Sequence, residues 1–192
     1  MPRLNIVVLG STRGTSIQSV IDAIDDNTLH ANISLIISNR SKSLILQRAT
    51  DNDIACKFVG GKGLSTSEYD NLLINEIDKH NPDIVLLAGF MRILGCDFVT
   101  HFAGKILNIH PSLLPKHAGL MDLDVHKAVI DAGDVISGCT IHQVTEDVDA
   151  GEIVEQFECA VVQSDTPETL KEKVQVLENK AWVKVVKNWV DK

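Results

Sequence analysis

Two polar side chains, Asn108 and His110, stand at the end of the apolar run Ile106 to Ile109, at a spacing that can do chemistry. Residues i and i+2 of a strand share a face, so the two project together while Leu107 and Ile109 point the other way. Pro111 biases His110 toward extended dihedrals and then ends the strand. The pair therefore lies at a carboxyl strand end, where open α/β sheets bind ligands. An amide N–H and an imidazole N–H aimed at one point suit an oxygen that gains negative charge, and one such donor is typically worth about 3 kcal/mol. A nearby acid would orient the imidazole and favour its protonated form. The turn Asp147-Val148-Asp149-Ala150-Gly151 offers two, and spacing does not choose between them.

His142 alternates with Thr140 and Val144, a strand pattern that fits a structural role as well as a functional one. The histidines lack H-E-x-x-H spacing, and Cys56, Cys96, Cys139 and Cys159 form no C-x-x-C pair, so no metal is expected. Ser112 follows His110 closely but sits in no G-x-S-x-G elbow, which argues against a hydrolase.

A second candidate is Gly10-Ser11-Thr12-Arg13-Gly14-Thr15-Ser16, which follows the first apolar run and opens a helix. Backbone N–H groups and the helix dipole at such a place hold phosphate. It lacks the G-x-G-x-x-G fingerprint, and Ser38-Asn39-Arg40 closes the second strand where a dinucleotide site would carry an acid, so NAD is disfavoured. Arg40 leaves an NADP-dependent reductase as an alternative from another reaction class, and the helix terminus alone would suit a non-catalytic nucleotide-binding module.

The elements that must position these groups follow from periodicity. Strand-length apolar runs recur at Asn5 to Leu9, Ile33 to Ser38, Ala55 to Val59, Ile84 to Ala88 and Ile106 to Ile109, separated by helix-like segments. That alternation predicts an α/β fold: an open, mostly parallel twisted sheet with helices on both faces. Ile17, Val20, Ile21 and Ile24 mark one helix, and Tyr69, Leu72, Leu73 and Ile77 another, with Ser65 and Glu68 at capping-box spacing. After His110 a short helix over Val125 to Ala132 leads to strands at Gly138 to Val144 and Ile153 to Val162, expected to pair partly antiparallel. Asp165-Thr166-Pro167-Glu168 then opens a long helix.

At 192 residues the chain fits one domain, 1–192, with a phosphate-binding βα half at 1–104 and a second half at 105–192 that holds the polar strand end. The net charge of −8 argues against nucleic acid as a partner, because phosphate-backbone binders carry a basic face. An anionic substrate would need local attraction against that field. No apolar stretch is long enough for a signal peptide or a membrane span, so no membrane contact and a cytoplasmic location are expected.

Gly89-Phe90-Met91-Arg92-Ile93-Leu94, then Asn108-Ile109-His110-Pro111-Ser112-Leu113-Leu114-Pro115, then Gly138-Cys139-Thr140-Ile141-His142 and Val148-Asp149-Ala150-Gly151, resemble the folate-dependent formyltransferase family, in order and nearly end to end. The resemblance implies a Rossmann-like fold and formyl transfer from 10-formyltetrahydrofolate, a co-substrate, to the amine of glycinamide ribonucleotide in purine synthesis, without a metal. It implies that Asn108 and His110 stabilise a tetrahedral intermediate, and it selects Asp149 over Asp147 as the partner of His110. Gly14, Thr15 and Ser16 would take the ribonucleotide phosphate, and Glu178 the ribose hydroxyls. Met91, Arg92, Ile93, Leu94, Thr145, Glu146, Asp147 and Val148 would line the folate pocket, making 105–192 the catalytic and folate-binding half. The partners are then small molecules, with the protein a monomer or homodimer. The chain departs from the family at Thr12-Arg13 and Thr15-Ser16, and Met121-Asp122-Leu123-Asp124 makes a longer, more acidic loop, with His126 answering to a family histidine.

Overall fold

The computed structural model describes residues 3–190. Seven strands form one sheet in the order β3-β2-β1-β4-β5-β6-β7. The strands are β1 (Leu4–Leu9), β2 (Ala31–Ser38), β3 (Cys56–Phe58), β4 (Ile84–Leu87), β5 (Ile106–His110), β6 (Ile136–Gln143) and β7 (Ile153–Ala160). The first five are parallel; β6 runs antiparallel to β5, and β7 to β6. The β4–β5 pairing spans the 104/105 divide, so both halves share a single sheet.

Alternation along each buried strand feeds two cores. Ile6 and Val8 of β1 join Leu107 and Ile109 of β5 beneath α1 (Gln18–Asp25), α2 (Leu44–Asp51), α5 (Leu123–Asp131) and α6 (Pro167–Val190). Val7 and Leu9, with Ile106, pack on the other face against α3 (Thr66–Ile77) and α4 (Cys96–His101). Asn108 and His110, out of phase with Leu107 and Ile109, are thereby turned to the second face.

The helix signals act as their residue types require. Ser65 Oγ accepts from the Glu68 N–H at 3.3 Å while Glu68 Oε2 accepts from the Ser65 N–H at 2.8 Å, the reciprocal cap expected of that spacing. Pro167 opens α6, which buries Leu170, Val174, Ala181, Trp182 and Val185. The first crossover begins with a 3₁₀ turn at Thr15–Ile17 before α1. The edge strand β3 is shorter than the apolar run Ala55 to Val59 implies, because its three residues are exposed and have a neighbour on one side only.

Candidate active site

Asn108, His110, Asp149, Gly14, Thr15, Ser16 and Glu178 line one cleft of about 580 Å³ at the carboxyl end of the parallel strands, together with Met91 to Leu94 and Thr145 to Val148. β5 delivers Asn108 and His110, and β6 places His142 directly opposite Asn108 and Thr140 opposite His110. Asn108 Nδ2 lies 3.1 Å from His142 Nε2. His142 Nδ1 donates to the Gln143 carbonyl at 2.8 Å, which leaves its Nε2 as the acceptor for Asn108. One N–H of Asn108 is then free for the cleft.

Asp149 arrives on the turn between β6 and β7. Its backbone is left-handed (φ 55°), and Gly151 two residues later passes so close to β6 that a Cβ there would lie 1.8 Å from the Gln143 carbonyl oxygen. This tight return brings Asp149 Oδ2 to 3.2 Å from His110 Nδ1 and Oδ1 to 3.5 Å from His142 Nε2. Asp147 stays exposed on the turn, its carbonyl accepting from Thr145 Oγ1. Of the two acids of this turn, Asp149 is the one placed beside His110.

Burial pushes the His110 pKa down and outweighs the nearby Asp149 charge, so the net shift is downward and favours the neutral ring. Asp149 pushes that pKa up, as expected of a nearby acid, but the almost complete enclosure of the ring has the larger effect. His110 Nε2–H donates to the His117 carbonyl at 3.1 Å, and Nδ1 on the other side of the ring faces the Asp149 carboxylate at 3.2 Å. Burial pushes the Asp149 carboxyl up, but the neighbouring His142 ring, the Gly119 N–H at 2.8 Å and the adjacent His110 ring together hold it below the ordinary value. A basic nitrogen facing a carboxylate is a place to receive a proton.

At the other end of the cleft Gly14 caps the 3₁₀ turn in the left-handed region (φ 60°), where a Cβ would press within 2.5 Å of Ile45 Cγ1. The first N–H groups of that turn, at Thr15 and Ser16, have no partner within it. Arg13, Arg40 and Lys171 line the same cleft, the local positive charge that a net-acidic chain needs to attract an anion. Glu178 faces in from α6, and burial pushes its carboxyl up to about 7.

The Met91–Leu94 segment lines the cleft unevenly. Ile93 is 62% exposed, while Leu94 belongs to the core. The Arg92 guanidinium lies over the Tyr69 ring at 4.2 Å and donates to the Gly61 carbonyl at 3.2 Å, bracing the neighbouring loop. The Met91 N–H donates to Ser11 Oγ at 2.7 Å, which ties this wall to the glycine turn. Ser112 Oγ donates to the Lys116 carbonyl at 2.6 Å and is committed to its loop. Among the described residues no group of three His, Cys, Asp or Glu side chains is placed to hold a metal ion, and no helix is long and apolar enough to cross a membrane.

Sequence reasoning left His142 undecided and passed over His117 and Asp134. The alternation of Thr140, His142 and Val144 put His142 on the correct face, but only the antiparallel register sets it against Asn108. Residues 4–186 match the formyl transferase family. The chain belongs to that family. It is 38% identical over 189 residues to the phosphoribosylglycinamide formyltransferase of Escherichia coli strain K12, covering 98% of this chain and 88% of the relative. It is 39% identical to the trifunctional purine biosynthetic protein adenosine-3 of Chironomus tentans, covering 97% of this chain and 14% of that much longer protein. The solved phosphoribosylglycinamide formyltransferase of Coxiella burnetii, in complex with CHES, superposes with a TM-score of 0.91 at 40% identity, covering 96% of this chain and 86% of the other.

Proposed function

We propose that this chain transfers a formyl group from 10-formyltetrahydrofolate to the amine of glycinamide ribonucleotide, a step of purine biosynthesis. The observation that carries this is the array Asn108, His110, His142 and Asp149, set in one cleft between the glycine turn at Gly14 and the wall of Met91 to Leu94. Relatives named as phosphoribosylglycinamide formyltransferases support the same chemistry.

The ribonucleotide phosphate sits on the N–H groups of Thr15 and Ser16 beside Gly14, and Glu178 accepts from the ribose hydroxyls. The pterin and its linker lie along Met91, Ile93 and Leu94, with Arg92 holding that wall, and face the turn Thr145, Glu146, Asp147 and Val148. The amine adds to the formyl carbon, forming a C–N bond while the carbonyl oxygen becomes an oxyanion. The free N–H of Asn108 stabilises that oxygen. Neutral His110 takes the proton released by the amine, and the resulting imidazolium is stabilised by Asp149 and lies beside the oxyanion. His110 then returns the proton to N10 of the folate as the C–N10 bond breaks, giving formyl amide and tetrahydrofolate.

The test is to incubate purified protein with both substrates and follow conversion of 10-formyltetrahydrofolate to tetrahydrofolate by absorbance. Formylated ribonucleotide should appear in equal amount. Release of free formate without a formylated product would replace transfer by hydrolysis, and no consumption of the folate would dismiss both.

A further inference from the structure

The loop after β5 turns back over its own strand end, and two of its backbone groups reach the acid–base pair. The His117 carbonyl accepts from His110 Nε2 at 3.1 Å, and the Gly119 N–H donates to Asp149 Oδ2 at 2.8 Å. The position of this short segment therefore sets both the ring and the carboxylate. His117 itself is in the left-handed region (φ 58°), which disfavours any residue with a Cβ by about 1 kcal/mol or more unless its surroundings hold it.

Asp134 supplies that hold. It lies just after α5, beyond Gly133, and its carboxylate is divided between two neighbours of the loop. Oδ2 is 2.8 Å from His117 Nε2, and Oδ1 is 2.7 Å from Lys116 Nζ. The His117 and Asp134 side chains are only 15% and 14% exposed, whereas that of Lys116 is 66% exposed. An exposed lysine pair contributes little, so the enclosed His117 contact carries most of the restraint. The Asp134 carboxylate can only accept, so the His117 ring donates to it from Nε2.

We propose that Asp134 is a positioning residue of the formyl-transfer site, acting through His117 to hold the backbone that aligns His110 and Asp149. This rests on the formyl-transfer assignment above. Asp134 touches no part of the cleft and takes no part in bond making; its effect is on alignment, and so on turnover more than on substrate binding.

The test uses D134N and K116A in the full chain, with circular dichroism to verify that each is folded. In D134N kcat should fall about tenfold or more, the scale on which small misplacements of reacting groups act. KM for both substrates should stay within about twofold. The imidazole nitrogen signals of His110, read by NMR in the ligand-free protein, should move in the same variant. K116A keeps the His117 contact and should leave kcat and those signals close to native. Unchanged turnover and unmoved His110 signals in D134N would overturn the proposal, as would an equal loss in K116A. If the native protein fails to transfer formyl groups, the functional assignment falls alone, because the His110 signals still decide whether Asp134 sets that ring.

Discussion

Asn108 and His142 face each other across the β5–β6 ladder, with Nδ2 3.1 Å from Nε2. Because the Gln143 carbonyl fixes the His142 tautomer, the amide of Asn108 is held with one N–H engaged and the other directed to the cleft. A donor oriented before substrate arrives needs no reorganisation as charge develops. Asn108→Ala should lower kcat about 100- to 1,000-fold, the usual loss for one oxyanion donor, with the thermal midpoint little changed. His142→Ala, which only loosens that donor, should lose less. Steady-state kinetics of both variants check the order; an equal or larger loss in His142→Ala would assign the oxyanion contact to His142.

The pH profile follows from the neutral His110. As a base it must be unprotonated, so kcat/KM should be maximal at neutral pH and fall as pH drops through the His110 pKa, which burial places below 6.5. Asp149 raises that pKa, so Asp149→Asn should move the acid limb to still lower pH while the plateau drops. A limb that stays in place, or moves upward, would separate Asp149 from the titration of His110.

Much of the sheet was legible because its central strands are buried on both faces and read as unbroken apolar runs bounded by turn residues. α2 and α4 were not located: they have eight and six residues, and α2 buries only Ile45 and Ala49, too few positions for a period to emerge. At the site, Asn108 and His110 were legible because two residues on one strand have a fixed relation. Asp149 and His142 depend on an antiparallel register and a tight return at Gly151, which spacing alone does not fix. Asp134 lies 17 residues from His117, and only the folding of α5 against the loop brings them together. Glu178 reads as a solvated helix carboxylate until α6 is seen to border the cleft.

Glu178 gives a binding prediction with a definite sign. Burial pushes its carboxyl up to about 7, so it ionises only as pH rises through that value. The carboxylate accepts stronger hydrogen bonds from ribose hydroxyls than the neutral acid does. Calorimetric affinity for glycinamide ribonucleotide should therefore tighten between pH 6 and 8 more steeply in the native protein than in Glu178→Gln. At pH 8 the variant should bind about tenfold more weakly, with kcat changed much less. Equal pH dependence in the two proteins would leave the ligand phosphate as the only titrating group.

His126 gives a stability prediction at the cleft wall. It is 1% exposed, and its Nδ1 has no hydrogen-bond partner. Burial, aided by the Lys171 charge and opposed by Asp122, pushes its pKa down to about 4. Between that value and the ordinary 6.5 the unfolded chain binds a proton that the folded chain refuses. Stability is therefore fully present above pH 6.5 and declines as pH falls, by on the order of 3 kcal/mol near pH 4. Urea midpoints at pH 7 and pH 4.5 should differ markedly in the native protein and less in His126→Gln, which cannot titrate. If both proteins lose the same stability on acidification, the buried imidazole is not the group responsible, and the decline belongs to other titrating groups such as His110.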